Sequence, residues 1–475
     1  MKQKGIRYMA IREFLSSRVE DCKRLVELLG EKFAYVSVLG CDVTTKNVVV
    51  NRRTSRVETD TDSDKGFVVK LSNGRAFFEY SADDVHGDVN ALAEKILSEA
   101  VAADCLNDSM IHSRPVADEP LEKDFEREND FANYTNAQLL ECCTAIKDDI
   151  LSKSEKVVNA AVMLRLLDVN KVFVSKNRTL TQAYTWVNGI LVANYREGEK
   201  MVGVREGECS NLLSDVMKAL PKQTDKLVKK AEKLATAKPI TPGVYDVITD
   251  PSITGLLAHE AFGHGVEMDM FVKDRALAKS YMGKYVASPI CNMRDGAAST
   301  LSVASYFFDD DGVLAHDTQI IKDGILVSGI SDLVSASELG TEPTGNGRRQ
   351  DHARKAYSRM TNTFFERGTD KLEDMIASIK HGYMIFETNN GMEDPKNWAI
   401  QCVAEYGIEI VDGKLTENYV SPVVMSGYVP DVLKSISMIS DDFIVEGAGF
   451  CGKGHKEWVR VSDGGPALKL RVKLG

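Results

Sequence analysis

Lys238-Pro239-Ile240-Thr241-Pro242-Gly243 divides the 475-residue chain into two parts of different character. Two prolines and a glycine this close together end any helix and mark a boundary. Before it, amphipathic helical stretches alternate with β-like runs. After it, β-like runs dominate. The reading is α+β: an N-terminal α+β domain over residues 1–237 and a C-terminal domain over 238–475, mostly an antiparallel sheet or barrel.

Working outward on the N-terminal side, two similar helix/antiparallel-sheet units are expected, about 1–105 and 134–237. The first has a helix within 8–30 (Ile11, Leu15, Cys22, Leu25 and Leu29 on one stripe), strands at 34–39, 48–51, 66–71 and 75–80, and a helix over 88–103. Residues 104–133, with Pro115 and Pro120, read as an exposed connection. The second has a helix over 136–152, strands at 156–168, 172–174, 180–187, 190–195 and 200–206, and one long helix over 210–236. The repeated order predicts an internal duplication. On the C-terminal side, strands are expected at 244–248, 303–308, 318–321, 325–328, 399–405, 408–411 and 468–472. Asp323-Gly324 and Asp412-Gly413 supply hairpin turns.

The charge balance, 59 Lys and Arg against 70 Asp and Glu, gives a net −11. That is a poor surface for bulk polyanions, so no nucleic-acid partner is expected. No apolar run of about 18 residues occurs, and Met1–Arg7 has no signal-like core, so no membrane association is expected either. Nine scattered cysteines without a Cys-x-x-Cys pair suit a reducing, cytoplasmic setting.

The segment richest in chemistry is Gly255-Leu256-Leu257-Ala258-His259-Glu260-Ala261-Phe262-Gly263-His264-Gly265. On an α-helix, residues five apart point about 140° away from each other. A metal shared by His259 and His264 therefore requires the helix to bulge or end between them. Gly263 and Gly265 are expected to permit that distortion. Imidazoles suit zinc, and Glu260 beside the first His is placed to act as a general base. The alternative is a plain helix with one buried His and a solvated Glu. A second glycine-rich stretch, Glu446 to His455, contains Cys451, Lys453 and His455. It is either a ligand-approaching loop or a turn around a buried thiol.

Three segments together resemble the TldD/PmbA family: His259–Glu267; Thr344-Gly345-Asn346-Gly347-Arg348-Arg349-Gln350 with Arg359–Thr363; and Gly449–Lys453. The resemblance implies His259, His264 and Cys451 as metal ligands for one Zn2+ per chain, with Glu260 as the catalytic base or acid. It implies a metallopeptidase acting on short or unfolded peptides, as a homodimer or as a heterodimer with a related subunit lacking the His motif. The rival readings are a non-catalytic scaffold subunit with a structural metal, and a regulator of DNA gyrase. His455, four residues past Cys451, competes with it as a ligand. Asn346, Arg348, Arg349, Lys453 and His455 are candidate substrate-binding residues. Arg348 and Arg349 either clamp a peptide carboxylate or pair with the protein's own carboxylates.

Overall fold

At the centre of the N-terminal half, strands Tyr35–Asn51 and Val157–Ser175 lie antiparallel, Ser37 opposite Ser175 and Asn51 opposite Ala161. The computed structural model describes residues 7–8, 10–59, 63–104, 116–453 and 456–475. Strands Asp64–Ser72 and Phe77–Ala82 extend the sheet on one side, Arg178–Glu197 and Lys200–Ser210 on the other. The first unit also contains the short strand Ser55–Thr59, paired with Tyr35–Asn51, and the second ends in two helices, Leu213–Ala219 and Thr224–Ala235. Helices Val19–Gly30 and Val89–Asp104 bury Leu25, Leu29 and Ile96 against Val38, Phe67 and Val172. Helices Asn136–Ser152 and Thr224–Ala235 bury Ile146, Ile150, Leu227 and Leu234 against Val162, Leu164 and Leu191. Each such side chain contributes about 1.5–3 kcal/mol through removal from water.

In the C-terminal half, five strands close a barrel: Gly243–Thr249, His381–Asp394, Ala399–Val411, Val423–Tyr428 and Leu468–Leu474. The closing strand, Gly243–Thr249, runs parallel to His381–Asp394 and antiparallel to Leu468–Leu474. A second sheet contains Met293–Asp295, Asn362–Phe365 and the hairpin Ile444–Lys453/Lys456–Gly465. The helix Pro251–Leu256 leaves the barrel and packs against that hairpin.

Several sequence expectations change. The predicted breaks at 40–47, 169–171 and 188–189 do not exist, and each flanking pair of runs is one long strand. Glycine is retained there for close packing: a Cβ at Gly40 would lie 2.7 Å from the Phe67 ring, and one at Gly189 2.6 Å from Leu220. The long helix over 210–236 is two helices, Leu213–Ala219 and Thr224–Ala235, separated by a 3₁₀ turn at Leu220–Gln223. Pro221 lacks the N–H a continuous helix needs. Residues 303–308 form turns instead of a strand, because Ser305 satisfies local backbone groups at Ser302 and Thr300. The connection around Pro120 includes a strand, Leu121–Glu126, parallel to Arg178–Glu197. Residues 105–115 and His455 lie outside the described residues.

Candidate metal centre

Asp250 starts the motif helix: its Oδ1 accepts from the Ile253 N–H at 2.8 Å, and Pro251 occupies the first turn. At Leu257 the α-helix gives way to a π-helix, Leu257–Gly263, followed by a 3₁₀ turn from His264 to Val266. The His264 N–H donates to the His259 carbonyl, five residues back. This wider turn cancels the angular mismatch of the five-residue spacing. The rings of His259 and His264 now lie 5.1 Å apart at 88°.

The glycines act differently from expectation. Gly263 has right-handed backbone angles, φ −58° and ψ −49°, open to any residue. Its role is close approach: a Cβ there would lie 2.0 Å from the Met360 sulfur. At Gly255 a Cβ would lie 2.4 Å from the Gly464 nitrogen, so its absence lets the helix press onto the hairpin.

That hairpin delivers Cys451. Its Sγ lies 3.2 Å from His264 Nε2, and one donor atom from each of His259, His264 and Cys451 falls within 4.8 Å of the others. Two imidazoles and a thiol are a zinc-type donor set that leaves a fourth position open. Burial pushes the Cys451 thiol up, but His264 and His259 outweigh it and hold the group well below the ordinary thiol range. The thiolate is the form that ligates a metal. The side chain of Glu260 is 18% exposed. Its Oε1 lies 4.0 Å from His259 Nε2, and burial raises its carboxyl above the ordinary value against the pull of both histidines.

Behind the cluster sits a charged support. His264 Nδ1 meets Glu267 Oε2 at 3.4 Å. Glu267 is in turn held by Lys453 Nζ at 3.0 Å and Arg359 Nε at 3.4 Å. Burial would raise the Glu267 carboxyl, but Lys453, His264 and Arg359 hold it far below the ordinary range. Lys453 also donates to Asp269 at 2.6 Å and the Ser358 carbonyl at 3.2 Å. Arg359 donates to the Cys451 carbonyl at 2.8 Å. On the other side Asp463 Oδ2 lies 4.0 Å from His259 Nδ1. Glu267 on the second ring nitrogen fixes the tautomer and aim of the His264 imidazole, whereas Asp463 stands beyond hydrogen-bond reach of His259, whose Nδ1 has no hydrogen-bond partner among the described residues. Sequence reasoning gave no role to Glu267, Arg359 or Asp463. For Glu267 the signal was present: it follows His264 by three residues, the spacing that puts helical side chains side by side.

The remaining candidates are placed elsewhere or behind the cluster. The Asn346 amide donates to Asp295 Oδ1 and the Arg359 carbonyl. Arg348 donates to the Met360 carbonyl at 2.6 Å and stacks over Tyr306. Arg349 is buried and binds Glu79 at 3.1 Å and the Arg354 carbonyl, tying the two halves of the chain together. Of the two readings offered for these arginines, Arg349 takes the internal ion pair. Lys453, expected at the substrate, supports Glu267. Asp309–Asp311 form a buried turn whose Asp310 and Asp311 pair with Lys171 and Lys70.

The fold and site define an α+β protein with a buried His–His–Cys metal-type cluster beside a glutamate. A model of the PmbA/TldA metallopeptidase C-terminal domain matches residues 242–473. A metalloprotease of Synechocystis is 30% identical over 331 residues, covering 69% of this chain and 71% of that protein. A Haemophilus influenzae metalloprotease TldD homolog is 34% identical over 48% of this chain and 47% of its own length. A zinc metalloprotease TldD homolog of Saccharolobus solfataricus is 32% identical over 49% and 52%. These last two matches span about half of each relative. TldE from Thermococcus kodakarensis superposes with a TM-score of 0.73 at 17% identity, over 96% of this chain and all of that one, and shares the fold. The chain belongs to the TldD/PmbA metallopeptidase family.

Proposed function

We propose that the protein is a zinc-dependent peptidase acting on short or unfolded peptides, with one zinc held by His259, His264 and Cys451. The observation that carries this reading is the π-turn: it brings two imidazoles together on the Cys451 sulfur carried by the hairpin and leaves Glu260 beside them. A bound zinc supplies Lewis acidity, polarising a carbonyl and easing loss of a proton from water. Glu260 receives that proton and passes it to the leaving amine. His264 is kept in aim by Glu267, and Glu267 in its charged form by Lys453 and Arg359. An extended peptide lies along a strand edge near the site. The working form is a dimer, with itself or with a related subunit lacking the His motif, in the cytoplasm. Among the described residues no helix is long and apolar enough to cross a membrane.

The test is cleavage of an unstructured peptide by zinc-loaded protein, alone and with a co-expressed partner. Glu260→Gln is expected to lower the rate by about 10²–10⁴-fold, the usual contribution of a general base, with zinc content unchanged. Cleavage by Glu260→Gln at the unaltered rate would remove the proposed mechanism.

A further inference from the structure

Beside the cluster two polar groups have no hydrogen-bond partner among the described residues. Both carboxyl oxygens of Glu393 are buried without a hydrogen-bond partner, and so is the indole N–H of Trp398. Other buried carboxylates with an unpaired oxygen, such as Glu206, Glu267 and Glu405, are held by ion pairs. Glu393 has none among the described residues. Each such unpaired group costs stability, and a folded protein keeps few without reason. Trp398 is also fully buried with a left-handed backbone, φ 52°. A strained, bulky residue of this kind is characteristic of ligand-binding sites.

Their position links them to the chemistry. The strand His381–Asp394 passes over Glu260, where a Cβ at Gly391 would lie 2.6 Å from Glu260 Cγ. Residues two apart on a strand share a face, so Glu393 is on the side turned toward Glu260. A Cβ at Gly265 would lie 3.0 Å from Glu393 Oε1 and 3.0 Å from Trp398 Nε1. The two groups therefore converge against the residue that follows His264. This wall is one strand thick, since the intervening Met392 is 60% exposed, and its pairing is irregular between Thr388 and Asn390.

We propose that Glu393 and Trp398 form a subsite for an ammonium group, the free amino terminus of the residue whose carbonyl is attacked. The inference rests on the peptidase reading. The complementarity is specific. Glu393 offers two acceptor oxygens and Trp398 one donor; an amino-terminal residue offers an ammonium with three donors and one carbonyl acceptor. Burial, with Glu260 and Glu267 adding to it and His264 opposing it, pushes the Glu393 carboxyl toward its neutral form, and both oxygens are acceptors only when a positive charge beside it restores the ionised form. An incoming ammonium supplies the missing positive charge.

Trp398 gives a direct readout, because the chain has three tryptophans. Zinc-loaded protein carrying Glu260→Gln, Trp186→Phe and Trp458→Phe leaves Trp398 as the sole emitter and blocks turnover. It is titrated with a short lysine-free peptide, the same peptide N-acetylated, and an acetylated version containing one lysine. The free peptide is expected to shift the emission and bind about tenfold or more tighter than the acetylated one. Adding Glu393→Gln is expected to erase that difference and leave affinity for the acetylated peptide unchanged. Equal affinity of free and acetylated peptides, a preference surviving Glu393→Gln, or no binding of any peptide overturns the subsite. Tight binding of the acetylated lysine peptide through Glu393 overturns its assignment to the chain terminus. Failure of the peptidase reading is separate: unmutated protein would cleave none of the three peptides, whatever the binding shows.

Discussion

His259–Gly265 and Thr344–Gln350 are both short polar runs broken by glycines, and the fold treats them in opposite ways. In the second, Asn346 is spent on Asp295 and the Arg359 carbonyl, and Arg349 on Glu79. Its partners are other parts of the same chain. In the first, the functional atoms face one another: two imidazoles and a thiol within 4.8 Å, with Glu260 alongside. Groups that converge without completing one another are completed by a ligand. Groups with complementary partners inside the fold hold the fold together.

Mutations can separate these two cases. Arg349→Ala strips a buried cation from Glu79. Breaking a buried pair of this kind typically costs about 3–5 kcal/mol, and denaturant unfolding is expected to reveal that loss. Zinc content and cleavage per folded molecule are expected to stay unchanged; a selective loss of cleavage would return Arg349 to the substrate. Lys453→Ala removes the cation that holds Glu267 and Asp269. Outer partners of a ligand are worth about 10–100-fold in metal affinity, so zinc competition with a chelator is expected to show a loss of that size. An unchanged zinc affinity would make Lys453 a substrate contact after all.

Titration of the joint between the halves gives smaller effects. Burial raises the Glu79 carboxyl, but Lys70 and Arg349 outweigh it and pull it to about 2, from an ordinary 4.5. Its contribution to stability is complete above pH 4.5 and is lost as pH falls toward about 2. Asp250, at the start of the motif helix, has the opposite sign. Burial pushes it from 3.8 to about 7, so stability declines as pH rises between those values and is level above them. Asp250→Asn is expected to flatten that decline in thermal melts from pH 4 to 8. An unchanged slope would place the titration elsewhere.

The sequence was most legible where chemistry constrains spacing. Two histidines five apart can share a metal only if the helix is distorted, and the π-turn is that distortion. The reason for Gly263 is not local, because the close approach by Met360 comes from a loop about a hundred residues away. The support of His264 by Glu267 and Arg359 was hidden for the same reason, apart from the three-residue step from His264 to Glu267. Long strands were read as pairs of short ones, since Gly40 and Gly189 look like turn signals until Phe67 and Leu220 are seen packed upon them. Pro221 was a helix break in plain view. The α+β class and an antiparallel C-terminal sheet or barrel were readable from local alternation, but two barrel strands, His381–Asp394 and Val423–Tyr428, were not among the expected runs, and neither Asp-Gly turn joins two barrel strands.

X-ray absorption at the zinc edge, on protein loaded with one zinc per chain, tests most directly whether the π-turn builds one metal centre. The expected shell holds two nitrogens at about 2.0–2.1 Å and one sulfur at about 2.3 Å, with the sulfur lost in Cys451→Ser. A shell without sulfur, or a single histidine nitrogen in place of two, would contradict a site built from His259, His264 and Cys451.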